Sequence, residues 1–349
     1  MSEKDFYYGL LKYSSINIGD EIQSIAALRF LPSIDKLVHR ESISKYRADK
    51  KTKLIMNAWW MWRPNFFPPS KDIEPLLISM YINTDIRNKF LQDKTKKYLI
   101  ENGPVGCRDK FTAEYLNNNG IPAYFSGCLT LTLQRNPKLK RKDYILTVDL
   151  PEIIVNEIKK RTNRPVYSLS RMLLPNKTEK RMNVAKSMLY LYQSAHCVVS
   201  SRLHVCMPSL ALETPVLMIE TNDKLLSNDG RYEGLKNLCN HISEDDFMKN
   251  PNIYDFEIPP SNPTSYLEIR NDLIARCKDF TGYDSKKSSL EDIENEDFII
   301  MNLLNSMRYV YNDYAKYIQW FIKPYDLLKT FFRKSILRLS KHDIIEKNY

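Results

Sequence analysis

The stretch Val198-Val-Ser-Ser-Arg-Leu-His-Val-Cys-Met-Pro-Ser-Leu-Ala-Leu-Glu-Thr-Pro-Val-Leu-Met-Ile219 holds a strand, a helix and a second strand in succession. Cys197 to Val199 is a short apolar run of the kind a buried strand needs, and it stops at Ser200 and Ser201. From Leu203 to about Leu212 the pattern becomes helical, and Pro215 to Ile219 is apolar and strand-like again. A helix that opens directly at a strand end presents unpaired N–H groups and a partial positive charge, which is a natural anion site. Arg202 and His204 stand at that opening.

The same alternation runs in both directions from this unit. Downstream of the charged, proline-containing stretch Asn136–Lys142 come the strand Tyr144–Val148, a helix near Glu152–Arg161, the strand Pro165–Ser168 and a helix over Lys180–Gln193. Upstream, Phe6–Leu11 reads as a strand. A helix follows from about Gly19, with Asn17 as a cap and Ile22, Ile25, Ala26 and Phe30 at helical spacing. Leu54-Ile55-Met56 and Leu76-Leu77-Ile78 read as buried parallel strands. Pro104–Cys107 is another, and Asp109 can cap a helix whose apolar face is Phe111, Tyr115 and Leu116 and which Gly120-Ile121-Pro122 ends. The expected class is α/β, with two Rossmann-like doubly wound domains over 1–135 and 143–300. Ligands of such folds bind at the carboxyl ends of the strands.

Composition agrees with this scheme. The 349 residues suit two domains, and 43% hydrophobic content supports real cores. The six cysteines are scattered without a CxxC pair, so they read as reduced core residues of a cytoplasmic protein, and neither a structural zinc nor another metal is expected. No apolar run is long enough to span a bilayer, and the start lacks the features of a secretory signal. The net charge of +10 is half owned by the tail, where Asn302–Tyr349 carries nine basic and four acidic residues. Two amphipathic basic helices are expected over 301–349. One carries an apolar stripe from Leu303 to Phe321, and the other sets Phe331, Phe332 and Leu339 against Lys329, Arg333 and Lys341. That last helix can meet an anionic membrane surface on the inner face of the cell membrane, or its apolar side can pack on a domain. No nucleic-acid motif or aromatic-interleaved basic groove is present, so nucleic acid is not an expected partner.

Three junctions carry candidate chemistry. At the first described above, the fork of Arg202 matches phosphate or carboxylate oxygens, and His204 can give a proton to a bound anion. The expectation is a neutral His204 in the empty site, with anion binding favouring its protonation. Gly106-Cys-Arg-Asp109 puts Arg108 at another strand-to-helix junction, either facing the cleft or as a surface arginine paired with Asp109. In Asn17-Ile-Gly-Asp-Glu-Ile-Gln23, Gly19 allows close backbone approach to a ligand and Asp20 and Gln23 can bind sugar hydroxyls; alternatively Asn17 or Asp20 simply caps the helix. Trp59, Trp60 and Trp62, beside Arg63-Pro64, can stack on sugar rings or form an aromatic core cluster.

Taken in order, Asn17–Asp20, Gly106–Asp109 and Arg202-Leu203-His204 resemble the polysaccharide pyruvyl transferase family. Ala211-Leu212-Glu213-Thr214-Pro215-Val216 is also similar to that family's entry into the following strand, and the resemblance covers roughly residues 8 to 240. It departs in two places. Cys128-Leu129-Thr130 follow Gly127 where many members have Asp-Pro, and Val205-Cys-Met-Pro208 replace the usual small residues after the histidine.

The resemblance implies a GT-B-like pair of domains, with phosphoenolpyruvate as donor substrate, a hexose as acceptor and no cofactor. The acceptor would be a lipid-linked or polysaccharide repeat-unit sugar, galactose favoured, in capsule or exopolysaccharide synthesis. The N-terminal domain would be the acceptor side and the C-terminal domain the donor side. By the motif matches, Arg108, Arg202 and His204 would bind the donor and catalyse the reaction. Asn17, Gly19, Asp20, Gln23, Asp109, Ser200, Ser201, Trp59 and Trp60 are the expected substrate-binding residues, with Asp20 and Asp109 as candidate bases. Two other functions fit the same elements: a nucleotide-sugar glycosyltransferase, for which no acidic ribose contact stands out, and a carbohydrate-binding protein without turnover.

Overall fold

The computed structural model describes residues 5–15, 17–169, 178–222 and 230–291. The basic helices expected over 301–349, with both readings of their apolar faces, lie outside the described residues.

The chain is mixed α/β with two parallel sheets. In the first, β1 (Phe6–Lys12) lies between β2 (Lys36–His39) and β3 (Lys51–Ile55), and a later strand, Ile73–Leu76, pairs with β3 on its far side. Between β1 and β2 runs α1 (Gly19–Leu28). The short strands β4 (Trp59–Trp60), β5 (Ile73–Leu76) and β6 (Tyr81–Ile82) follow, with β4 and β6 paired in parallel. Two helices, α2 (Arg87–Phe90) and α3 (Asp93–Glu101), lead to β7 (Val105–Cys107), α4 (Lys110–Asn118) and β8 (Ala123–Phe125). Backbone bonds from Gly106 N–H to the Leu77 carbonyl, 2.9 Å, and from Arg108 N–H to the Met80 carbonyl, 2.8 Å, seat β7 beside the segment after β5. Arg108 is thereby brought to the carboxyl edge.

The second sheet is built from β9 (Ile145–Val148), α5 (Glu152–Lys159), β10 (Val166–Leu169), α6 (Thr178–Ser194), β11 (Cys197–Ser200), α7 (Leu203–Ala211), β12 (Val216–Glu220) and β13 (Asn240–Ser243). Its order is β10-β9-β11-β12-β13, all parallel. The order reverses direction between β9 and β11, and the first sheet reverses in the same way between β1 and β3. Crevices open at the carboxyl ends of such reversal points. β9 and β11 are buried along their whole length, as continuous apolar runs demand of strands covered on both faces.

Several elements differ from a plain reading of the pattern. Leu129–Leu133 is not extended; Leu129–Thr132 forms a 3-10 turn buried against α1 and α7. Of the expected apolar face of α4, Leu116 is fully buried, whereas Phe111 is 38% exposed beneath the guanidinium of Arg87. β2 and β13 are short and half-exposed, which removes the apolar run by which a strand is recognised.

Helix α1 is enclosed on every side, with Gly19 through Ala27 all buried. It packs on β1, the 3-10 turn Leu129–Thr132, α6 and α7, within one apolar cluster that joins side chains of both sheets. The helix Tyr266–Thr281 returns across this junction to pack on the same 3-10 turn. There the Tyr8 hydroxyl donates to the Thr281 carbonyl at 3.0 Å and Arg29 pairs with Asp284 at 2.7 Å. Among the described residues, no helix is long and apolar enough to cross a membrane.

Burying α1 forces its polar residues to find partners. Glu21 takes both nitrogens of an arginine fork from α6, Arg181 Nε at 2.6 Å and Nη2 at 2.9 Å, and both side chains are buried. Burial pushes the Glu21 carboxyl up to about 7, with Arg181 pulling the other way. Such a pair fixes registry more than it adds stability, but removing one charge leaves the other buried alone. Glu21→Gln should therefore destabilise the fold by roughly 3–5 kcal/mol in chemical denaturation. Replacing both Glu21 and Arg181 by Met should cost less than the single change. A single variant that unfolds at the wild-type midpoint would show that the pair does not hold α1 to α6.

Candidate active site

A cavity of about 530 Å³ lies where the carboxyl ends of the two sheets face each other. The turn after β1 contributes Ser14, Ser15, Asn17 and Asp20, and the loops after β2, β3 and β6 contribute Arg40, Trp59, Trp62, Asn83 and Asp85. Arg108 comes from the end of β7, and Arg202, Leu203 and His204 from the end of β11. Arg231 and Tyr232 complete the wall. Four arginines and two aspartates face one space, so the wall is built for an anion.

At its centre Arg108 Nη1 lies 3.2 Å from His204 Nε2, joining residues that are far apart in sequence. Arginine has only donors, so Nε2 is the acceptor and carries no proton in this arrangement. The Arg108 guanidinium also stacks over the Tyr81 ring at 4.6 Å. Its Nε is buried and has no protein acceptor among the described residues. A buried guanidinium N–H without an acceptor is costly, and an anion entering the cavity would supply one.

The other face of His204 rests on Gly19. A Cβ at position 19 would sit 2.6 Å from His204 Nδ1 and 3.0 Å from its Cβ, closer than real contacts allow. Glycine at this point lets the N-termini of α1 and α7 meet, and it stacks two helix dipoles behind one site. The Gly19 N–H also donates to Asn17 Oδ1 at 3.0 Å, so Asn17 braces the turn while lining the cavity.

Arg202 is held from behind. Its Nε lies 3.6 Å from Asp149 Oδ2, across the reversal point between β9 and β11. Asp149 takes a left-handed φ of 52°, uncommon for a residue with a side chain. The two serines do not reach the cavity. Ser200 Oγ donates to the Val148 carbonyl at 2.8 Å, Ser201 Oγ donates to the Asp149 carbonyl at 3.2 Å, and both residues are buried. Ser200 Oγ also accepts from the Arg202 N–H at 3.1 Å, so the serines shape the turn that presents Arg202.

On the opposite wall Arg40 is buried and doubly matched. Its Nη1 meets Asp20 Oδ2 at 3.1 Å and its Nε meets Glu41 Oε1 at 2.8 Å. Burial works against the Arg40 charge, but Asp20 and Glu41 more than compensate and raise its pKa. Asp20 Oδ2 accepts a further bond from Ser15 Oγ at 2.6 Å. Glu41 Oε2 accepts the N–H groups of Trp62 and Arg63, each at 3.0 Å, and so ties the tryptophan loop to this network. Trp59 and Trp62 pack with ring centroids 4.7 Å apart and a tilt of 54°, and Trp62 is 66% exposed.

Among the expected site residues, Asn17, Asp20, Trp59, Arg108, Arg202 and His204 converge on the cavity, and Gly19 supports it from behind. Trp60 is instead core, fully buried against Phe67, because alternate residues of a strand face opposite sides. Asp109 is a helix cap: its Oδ1 accepts from the Thr112 N–H at 2.7 Å, it is fully buried, and burial raises its pKa against the pull of Arg108. Gln23 is also fully buried, with its amide unpartnered among the described residues and away from the cavity wall. Arg40, Asp149, Asn83, Arg231 and Tyr232 were not singled out from the sequence. They stand in loops without a recurring motif, and only the Tyr-Glu-Gly turn after Arg231 carries a local signal. Among the described residues, no cluster of His, Cys, Asp and Glu could hold a metal ion.

Gly19→Ala should push His204 away from Arg108 and lower turnover about 10–100-fold, since catalysis is sensitive to displacements near 1 Å. Circular dichroism should show the fold retained. Full activity in this variant would mean that His204 can shift without consequence.

Comparison with known proteins gives this geometry its context. The chain is similar to solved structures at low scores, among them the following two. An uncharacterised protein from Klebsiella pneumoniae subsp. pneumoniae NTUH-K2044 is 13% identical, with 65% of this chain and 87% of that chain covered at a TM-score of 0.40. The S. aureus MnaA–UDP co-structure is 10% identical, with 88% and 97% covered at a TM-score of 0.35. Neither likeness is close enough to carry an argument about the site. No curated protein matches the chain. The family model for polysaccharide pyruvyl transferase matches residues 17–223, a span that begins at Asn17 in the first cavity turn and takes in Arg108, Arg202 and His204. The chain belongs to the polysaccharide pyruvyl transferase family.

Proposed function

We propose that this protein transfers the pyruvyl group of phosphoenolpyruvate to two hydroxyls of a hexose, forming a cyclic ketal and releasing phosphate. The observation that carries the reading is the Arg108–His204 contact, with the Arg108 Nε left unpartnered beside it. A GT-B-like division fits the arrangement, with 1–135 as the acceptor side and 143–300 as the donor side. The acceptor is a lipid-linked or polysaccharide repeat-unit sugar.

The donor carries a carboxylate and a phosphate, and forks at Arg108 and Arg202 suit both groups. When the anion engages Arg108, the guanidinium turns from His204 Nε2 to the donor. The freed imidazole, now facing negative charge, takes up a proton. The methylene carbon of the donor gains a proton, one sugar oxygen bonds to the central carbon, and the C–O bond to phosphate breaks. His204 acts as general acid toward the departing phosphate. A second sugar oxygen then closes the ketal. The two hydroxyl protons account for the proton on the new methyl group and the one leaving with phosphate. Asp20, already accepting from Ser15 and Arg40, is the carboxylate on the acceptor wall. The exposed Trp62 and its partner Trp59 offer a face for the sugar ring.

The test is incubation with phosphoenolpyruvate and a panel of galactosyl, glucosyl and N-acetylmannosaminyl acceptors, following phosphate and acceptor mass together. Acceptor-dependent phosphate release with a pyruvyl-sized mass gain is expected. His204→Ala should lose roughly 10²–10⁴-fold in rate while staying folded. Turnover with a nucleotide sugar and none with phosphoenolpyruvate would overturn the proposal. Trp62→Ala should raise the acceptor KM about fivefold and leave the KM for phosphoenolpyruvate unchanged. The reverse pattern would move the acceptor site elsewhere.

A further inference from the structure

We infer that Arg231 is a third anion-binding residue of the cavity, taking one of the charged groups of the donor alongside Arg108 and Arg202. The inference rests on the pyruvyl-transfer reading and extends it to a residue beyond the segment that the family model covers, 17–223.

Arg231 lines the cavity from the turn Gly230–Gly234. That turn is anchored on both walls. Toward the first sheet, the Glu233 carbonyl accepts the N–H of Lys110 at 3.0 Å, two residues beyond Arg108. Gly230, at φ +67°, lies so flat on the Phe111 ring that a Cβ there would come within 2.4 Å of Cγ. Toward the second sheet, the Tyr232 hydroxyl donates to the Ser201 carbonyl at 3.0 Å, next to Arg202. Gly234, at φ +85°, closes the turn against Phe125, where a Cβ would meet the ring at 2.9 Å. The residue between these anchors is thus held in fixed relation to both other arginines.

Charge balance points the same way. The donor brings close to three negative charges. Arg40 is already matched by Asp20 and Glu41, and Asp149 stands behind Arg202. Arg108, Arg202 and the His204 that takes up a proton on donor binding face the donor, with Asp149 drawing on Arg202, and Arg231 adds a further cation to the same wall.

The experiment measures phosphoenolpyruvate binding by titration calorimetry without acceptor, on full-length wild type, Arg231→Ala, Arg231→Lys and Tyr232→Phe, with melting temperatures alongside. Arg231→Ala should weaken binding at least about tenfold, Arg231→Lys should recover part of it, and the acceptor KM at saturating donor should stay put. Arg231→Ala and Arg231→Lys should melt at the same temperature, so that the loss of binding follows the side-chain charge and not the fold. Wild-type affinity in Arg231→Ala overturns this inference alone. So does a loss of binding that Arg231→Lys fails to restore and that comes with a fall in melting temperature in both Arg231→Ala and Tyr232→Phe, since that marks a purely structural turn. A wild type that does not bind phosphoenolpyruvate overturns the pyruvyl reading and this inference with it.

Discussion

Helix α1 has no solvent face from Gly19 to Ala27, and this single constraint organises the molecule. A helix wedged between two sheets must draw the partners of its polar groups from its neighbours, and of its buried polar side chains the Gln23 amide goes without one among the described residues. Glu21 therefore draws Arg181 from α6, and Ser24 donates to the Leu11 carbonyl at 2.8 Å. Asn57 reaches across to the Gln23 carbonyl at 2.8 Å. Asp20, at the mouth of the helix, binds Ser15 and Arg40. Each of these bonds ties α1 to a different part of the chain. The helix thereby fixes the relation between the β1 turn and α7, which is the relation on which the cavity depends.

The cavity divides its charges between two uses. On the tryptophan side, Arg40 is neutralised by Asp20 and Glu41, so it acts as a structural hub that joins the β1 turn to the Trp59–Trp62 loop. On the other side, Arg108 sits beside an imidazole and an aromatic face and keeps a buried N–H unpartnered among the described residues. A guanidinium matched by carboxylates has little left for a ligand, while one set against His204 and Tyr81 has its donors in reserve. The asymmetry sets a wall whose guanidinium donors are in reserve against one whose charges are already matched.

Much of this was readable in one dimension. The largely apolar runs at Cys197–Val199 and Tyr144–Val148 do read as buried parallel strands, because a strand covered on both faces admits only polar residues that find a partner, as Thr147 does at Ser168. Arg108, Arg202 and His204 could be singled out because each stands where a strand ends and a helix begins, a junction with a fixed local signature. Trp60 was misjudged for a geometric reason. Two adjacent tryptophans look alike in sequence, yet the strand sends one toward the cavity and the other into the core. Asp109 and Gln23 share a different cause: burial is set by what packs on a helix, and that is invisible from the helix itself.

The sequence by itself determined the alternation of strands and helices, the positions of the strand-to-helix junctions and the residue types they carry, because hydrophobic period and local capping are short-range effects. Only the tertiary structure decided which junctions meet. The pairing of Arg108 with His204, the fit of His204 on Gly19, the support of Arg202 by Asp149 and the arrival of Arg231 all join residues distant in the chain. Such contacts follow from how the sheets reverse order and how α1 is enclosed, and these are properties of packing that no local window of residues contains.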